Sequence, residues 1–157
     1  IRATLPQRLP AGQKRNRVLS KFVEAEYEKC DRLAELWNEY CGKVSEEESK
    51  QHPDIDPELQ YLELLDKGLY VLLQVGLILA HVWASGDPGI QKRLVFVLEQ
   101  HEYSLRDVSY VLRRQYNFVY ANSAGGDNTT PEDKAIDSGE KRQKDQLDKL
   151  AKYLENY

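Results

Sequence analysis

The sequence predicts an all-α protein, and three observations carry that prediction. Leu59 to Ser85 is apolar on every side, with no charged residue between Lys67 and Asp87, so a helix there must be enclosed. The other apolar segments are one-sided stripes at helical spacing, each in need of a partner. No stretch alternates with period two for long enough to make a sheet strand. The greasy run approaches the roughly 18 residues at which a membrane span becomes thinkable. Gln74, Gly76 and His81 interrupt it, and Asp66 and Lys67 sit one turn in, so neighbouring helices and not lipid are expected to cover it.

Taken in order, Gly12 to Phe22 reads as a short basic helix with Val18, Leu19 and Phe22 along its apolar edge. A longer helix follows from about Glu24 to Val44. Cys30, Leu33, Ala34, Trp37, Tyr40 and Cys41 line one side, and Glu28, Arg32, Glu35 and Glu39 the other. Ser45 to Asp54 loses this rhythm and is expected as a loop. Asp56-Pro57-Glu58 restarts the chain with a capping side chain, a proline at the first helical position and an early acid, opening a long central helix. Ser85-Gly86-Asp87-Pro88 ends it and launches a helix to about Glu102, with Ile90, Leu94, Val95, Val97 and Leu98 inward. Ser104-Leu105-Arg106-Asp107 has the shape of a capping box and begins a helix carrying Leu105, Val108, Val111, Leu112 and Tyr116. Residues 122–138 hold paired glycines, threonines and acids in place of periodic apolars and are expected as a flexible loop. A closing helix then presents the narrow stripe Leu147, Leu150, Ala151, Leu154 and Tyr157. Helices of very unequal length, with a buried one between pairs of amphipathic ones, favour an α-solenoid over a simple bundle.

The 157 residues carry 26 acidic and 22 basic side chains, a net charge of -4, so the totals call for neither nucleic acid nor an anionic membrane. The chain opens on Ile1 with no apolar leader pattern, and reads as a fragment whose beginning lies elsewhere. Cys30 and Cys41 share one helix, about 16 Å apart along it, and cannot bridge. Such usage suits a reducing intracellular compartment, and without a secretory signal the sequon at Asn128 reads as a chance match. His52, His81 and His101 lack zinc-ligand spacing, and no phosphate loop, dinucleotide fingerprint or nucleophile elbow occurs. The reading is therefore of a protein that is not an enzyme and takes no cofactor or metal.

Binding has more material. Lys14, Arg15, Arg17 and Lys21 form a basic cluster suited to a localisation signal or a phosphate contact. The row Glu28, Arg32, Glu35 and Glu39 suits a cationic peptide. Tyr153 and Tyr157 are the aromatic residues best placed for an interface.

The order of segments carries a further signal. PQRLPAGQKRNRVLSKF, YEKCDRLAELW, YLELLDKGLYVLLQVGLILAHVWA, PGIQKRLVFVLEQHEYSLRDVSYVLRRQY and LDKLAKYLENY resemble, in that order, the C-terminal part of the beta-catenin-like protein 1 family. The resemblance implies an armadillo/HEAT-like α-solenoid end, with residues 1–121 as the armadillo-like domain, 122–138 as the loop and 139–157 as a capping helix of the same domain. It also implies a nuclear, non-enzymatic scaffold of the spliceosome, active in mRNA processing. Its partners would be splicing factors of the NineTeen complex, basic nuclear-localisation-type peptides and the upstream armadillo repeats of the same protein. Truncated apolar edges add a tendency to homo-oligomerise. An RNA-contacting helical domain using the basic segment is the alternative, with direct nucleic-acid binding the less favoured of the two.

Overall fold

Capping side chains set the starts of three helices. The structure, a computed structural model, describes residues 12–51, 53–121 and 133–156. Helix α1 spans Gln13–Lys50, α2 Pro57–Leu64, α3 Tyr70–Trp83, α4 Pro88–Gln100, α5 Leu105–Ala121 and α6 Asp133–Glu155. Among the described residues every regular element is helical. Asp56 accepts from the Glu58 amide at 3.0 Å and Asp87 from the Ile90 amide at 2.9 Å, each one residue ahead of a proline at the first helical position. Ser104 donates its amide and its hydroxyl to Asp107 at 2.7 and 2.8 Å, completing the capping arrangement that the sequence suggests.

The basic and the longer helix expected at the start are one element broken by a bend. Ala25, Glu26 and Tyr27 hold φ of 51°, 53° and 68°, the left-handed region, in succession. The Tyr27 ring lies against Gly89 at the start of α4, where a Cβ would overlap its hydroxyl. Cys30 Sγ donates to the Phe22 carbonyl at 3.8 Å, using an acceptor that the break leaves open.

Two expectations need correcting. Ser45 to Lys50 is helix and not loop, because apolar rhythm reports only buried faces. Lys50 pairs with Glu46 at 2.8 Å and Glu47 at 3.7 Å, and Glu48 reaches Arg114 on α5, so the polar turn is held by charge. The long central helix is likewise not continuous. Leu65–Leu69 forms a π turn between α2 and α3, with Gly68 at φ 139°. Tyr40 packs so closely there that a Cβ on Gly68 would stand 3.1 Å from its ring.

The turn divides the greasy run by environment. Leu72, Leu73, Val75, Leu79, Ala80 and Val82 of α3 are buried, whereas Leu59 and Leu62 of α2 lie half in solvent. At Gly76 three helices come close together: a Cβ there would meet Trp37 of α1 at 3.2 Å and Leu112 of α5 at 3.5 Å. Trp37 is fully buried and meets Tyr103 edge-on at 6.5 Å. Ile90, Leu94, Val97 and Leu98 of α4 close the core from one side, and Leu105, Val108 and Leu112 of α5 from another. Tyr61 of α2 stacks on Phe118 of α5 with centroids 3.6 Å apart.

Helix α6 lays Leu150, Ala151 and Leu154 on α5 and α3. It begins at Asp133, so residues 133–138, expected within the loop, are helical; the rest of that loop and the sequon at Asn128 lie outside the described residues. No described helix is long and apolar enough to cross a membrane.

Candidate interaction surfaces

Three ionic ties fix the helices that carry the charged faces. Arg93 of α4 forks onto Asp31 of α1 at 2.7 and 2.6 Å. Arg113 of α5 grips both carboxylate oxygens of Glu155, one at 2.8 Å, and reaches Asp148 at 3.2 Å. Ser109, buried beneath them, donates to Glu155 at 2.9 Å. Hydrogen bonding to Arg113 and Ser109 holds the Glu155 carboxyl down at about 2, and Arg113 is raised in return. Arg114 ties Glu48 as above.

Glu28, Arg32, Glu35 and Glu39 all reach solvent along one side of α1. The row is less acidic than its composition. Arg32 bonds Glu35 at 2.8 Å, and Lys43, one turn on, bonds Glu39 at 2.7 Å. The Lys43 hydrogen bond holds Glu39 below the usual carboxylate range, and Arg32 and Lys43 are each raised by their carboxylate partners. Glu28 makes no ion pair with a described residue.

Lys43 also stands 4.2 Å from the centre of the Tyr40 ring, at the lip of a groove that the sequence reading missed. Tyr40, Leu65, Asp66, Lys67, Tyr70 and Lys43 line this open depression of about 640 Å³ where the π turn bends the chain away from α1. The one sequence signal for it was a glycine directly after Asp66-Lys67 inside an apolar run. A smaller hollow of about 210 Å³ lies among Val95, Leu98, Leu105 and Leu154, where α4, α5 and α6 meet.

Lys14, Arg17 and Lys21 are exposed and Arg15 is half-buried, all on α1 before the bend. Tyr153 is 48% exposed on α6, and Tyr157 lies outside the described residues. The structure therefore does not gather the candidate residues at one point. The basic cluster and the acidic row are successive stretches of α1, the groove lies where Tyr40 and Lys43 of that helix meet the π turn, and Tyr153 belongs to the far end of the chain.

Burial pushes the Cys30 and Cys41 thiols up to about 11, with Asp31 adding to the first. At neutral pH both stay protonated and poor as nucleophiles or ligands. His81 is buried on α3, His101 is the C-cap residue of α4, and His52 lies outside the described residues. Among the described residues no three His, Cys, Asp or Glu side chains gather as a metal would need.

Comparison with known proteins agrees with the order of segments. A model of the catenin-beta-like, Arm-motif containing nuclear family matches residues 1–113. Beta-catenin-like protein 1 of Homo sapiens is 33% identical over 134 residues, and that of Rattus norvegicus 31% identical over 134 residues; each match takes in 77% of this chain and 23% of the relative. The Bos taurus protein is 33% identical over 135 residues. The chain thus spans under a quarter of the length of these relatives, and the family match takes in α1 to α4 and the first half of α5. From that match, over an all-helical stack whose buried residues share the same segments, the chain belongs to the catenin-beta-like, Arm-motif containing nuclear family.

Proposed function

We propose that this chain is the C-terminal armadillo-like stretch of a longer nuclear solenoid, a scaffold without catalytic chemistry that joins pre-mRNA splicing assemblies through protein contacts. The observation that carries this reading is the family match over residues 1–113. The geometry supports it in kind. A stack of helices locked by interhelical ion pairs keeps charged faces in fixed positions, which lowers the entropy lost when a partner docks.

Splicing factors of the NineTeen complex are the proposed partners. Basic nuclear-localisation-type segments would lie along Glu28, Glu35 and Glu39, taking over the places now held by Arg32 and Lys43. Tyr153, with Tyr157, supplies an aromatic contact at the opposite end. The upstream repeats of the longer protein are proposed to continue the stack.

The test is capture from nuclear extract, with the full-length protein and this chain as parallel baits and splicing subunits measured by quantitative mass spectrometry. Recovery by both places a docking surface within these residues, and recovery by the full-length bait alone places it upstream. Enrichment by neither removes the splicing assignment. Glu28→Lys with Glu35→Lys is expected to lower recovery by this chain wherever the acidic row is the surface used.

A further inference from the structure

The two ends of α1 are held very differently. No residue in 13–29 is buried, whereas from Cys30 onward the helix places Cys30, Leu33, Ala34, Trp37 and Val44 in the core. Phe22 is the hydrophobic residue before the bend that packs against that core, and it does so only in part. Lys14, Arg15, Arg17 and Lys21 make no ion pair with a described residue. Past the bend, Arg93 forks onto Asp31 and Trp37 is fully enclosed. Any motion of α1 is therefore motion of its leading segment about the bend.

The bend is held against the preference of its own backbone. Ala25, Glu26 and Tyr27 all occupy the left-handed region, which a residue with a Cβ disfavours by about five- to thirtyfold relative to the right-handed helix. On propensity alone, residues 23–29 would carry the helix straight through. Three contacts oppose this: the partial burial of Phe22, the Tyr27 ring against Gly89, and Cys30 Sγ donating to the Phe22 carbonyl at 3.8 Å. Enclosing a whole phenylalanine side chain favours a state by about ten- to a hundredfold, and Phe22 is enclosed in part. Its anchoring is thus of the same order as the penalty at one or two of the left-handed residues.

We infer that residues 13–23 are a hinged strap, exchanging between the packed position and a straight extension of α1, with Phe22 as the latch and Ala25, Glu26 and Tyr27 as the hinge. Straightening leaves the rest of α1 in place, takes Phe22 off the core and lifts its carbonyl from Cys30 Sγ. Cys30, fully buried under the packed strap, is then open on that side. Lys14, Arg15, Arg17 and Lys21 ride on the strap, so the exchange resets their distance from the acidic row on the fixed part of the helix.

Pulsed electron resonance on the intact chain tests this, with spin labels carried by a ketone-bearing amino acid in place of Lys14 and Glu35, which leaves both cysteines untouched. Twenty-one residues of straight α-helix span about 32 Å between backbones, and the packed strap gives a shorter distance. Phe22→Ala and Ala25→Val are expected to enlarge a population near that length, the first by unlatching and the second because a β-branched side chain disfavours the left-handed region. Ala25→Gly is expected to deplete it by about five- to thirtyfold. Alkylation by iodoacetamide, followed by mass spectrometry, supplies a second readout: Cys30 should react about fivefold faster in Phe22→Ala and at least about fivefold slower in Ala25→Gly. Cys41, on the fixed part of α1, should keep its rate.

The inference is overturned if no variant shows the longer population, or if a broad spread of distances replaces it, which would mean fraying and not straightening. It is overturned equally if Cys30 reactivity does not change, or if Cys41 accelerates in step with Cys30, the mark of general unfolding. Should Phe22→Ala fail to fold, Ala25→Val, at an exposed position, decides the matter alone.

Discussion

The bend in α1 makes a prediction whose sign depends on it. Ala25 is exposed and sits at φ 51°, so replacing it with glycine removes no contact and changes only backbone preference. A non-glycine residue in the left-handed region costs about 1–2 kcal/mol, and glycine gives back about 0.5–1 kcal/mol of that as extra unfolded-state entropy. Ala25→Gly should therefore stabilise the protein by about 0.5–1 kcal/mol. Were α1 a continuous helix, the same substitution would destabilise it by about 0.8–1 kcal/mol.

The two cases differ by about 1.3–2 kcal/mol, or about 3–8 °C in melting midpoint for a domain of this size. Urea unfolding followed by circular dichroism, read at constant slope, measures the difference directly. Two substitutions calibrate it. Glu102, at φ 63° in a turn where Tyr103 and Glu102 donate back to Leu98 and Glu99 at 3.0 Å, should also gain on becoming glycine. Lys149 on α6 should lose about 1 kcal/mol by the same change. A fall in stability for Ala25→Gly, with Glu102→Gly rising and Lys149→Gly falling, would refute the bent conformation.

Gly89→Ala should cost about 1 kcal/mol by displacing the Tyr27 ring, and less in a Tyr27→Phe background, where the overlapping hydroxyl is gone; a double-mutant cycle of unfolding free energies reads this coupling. Leu154→Ala should cost about 2–5 kcal/mol, since the side chain is buried between α6 and the rest, and calorimetry should show the loss without a new transition. The Glu155 carboxyl is lowered from 4.5 to about 2 in the folded chain, so its contribution is complete above about pH 4.5 and is lost as pH falls toward 2. Unfolding measured across that window should show a slope that Glu155→Gln reduces; an unchanged slope would mean that the Arg113 clamp does not persist in solution.

What the sequence could and could not reveal follows from the range of each interaction. Caps at Asp56, Asp87 and Ser104 were legible because donor and acceptor lie within three residues of one another. The inward residues of α4 and α6 were legible because burial imposes a period. The sequence suggested two helices meeting between Phe22 and Glu24 and not one bent helix; Val23 to Lys29 consists mostly of good helix formers. At the bend the Tyr27 ring lies against Gly89, a contact between residues far apart in the chain. The polar turn from Ser45 to Lys50 was missed because its stabilising partners are charges on its own surface and on α5. The acidic row was found, and its i, i+3 and i, i+4 neutralisation by Arg32 and Lys43 could have been. For the groove the sequence offered only Gly68 inside an apolar run, and its walls depend on Tyr40 brought onto that glycine from another helix.

The π turn has a consequence for how this stretch of chain tolerates change in length. One residue of α-helix corresponds to a rotation of about 100°, so the surplus residue in Leu65–Leu69 sets the angular phase of all that follows. Deleting Gly68 would move each following residue one place along the path of α3, bringing Leu77 to the position where Gly76 now meets Trp37 and Gln74 to that of buried Leu73. A single extra peptide unit thus serves as the gear tooth that lets one helix end in water and its continuation run through the middle of the molecule.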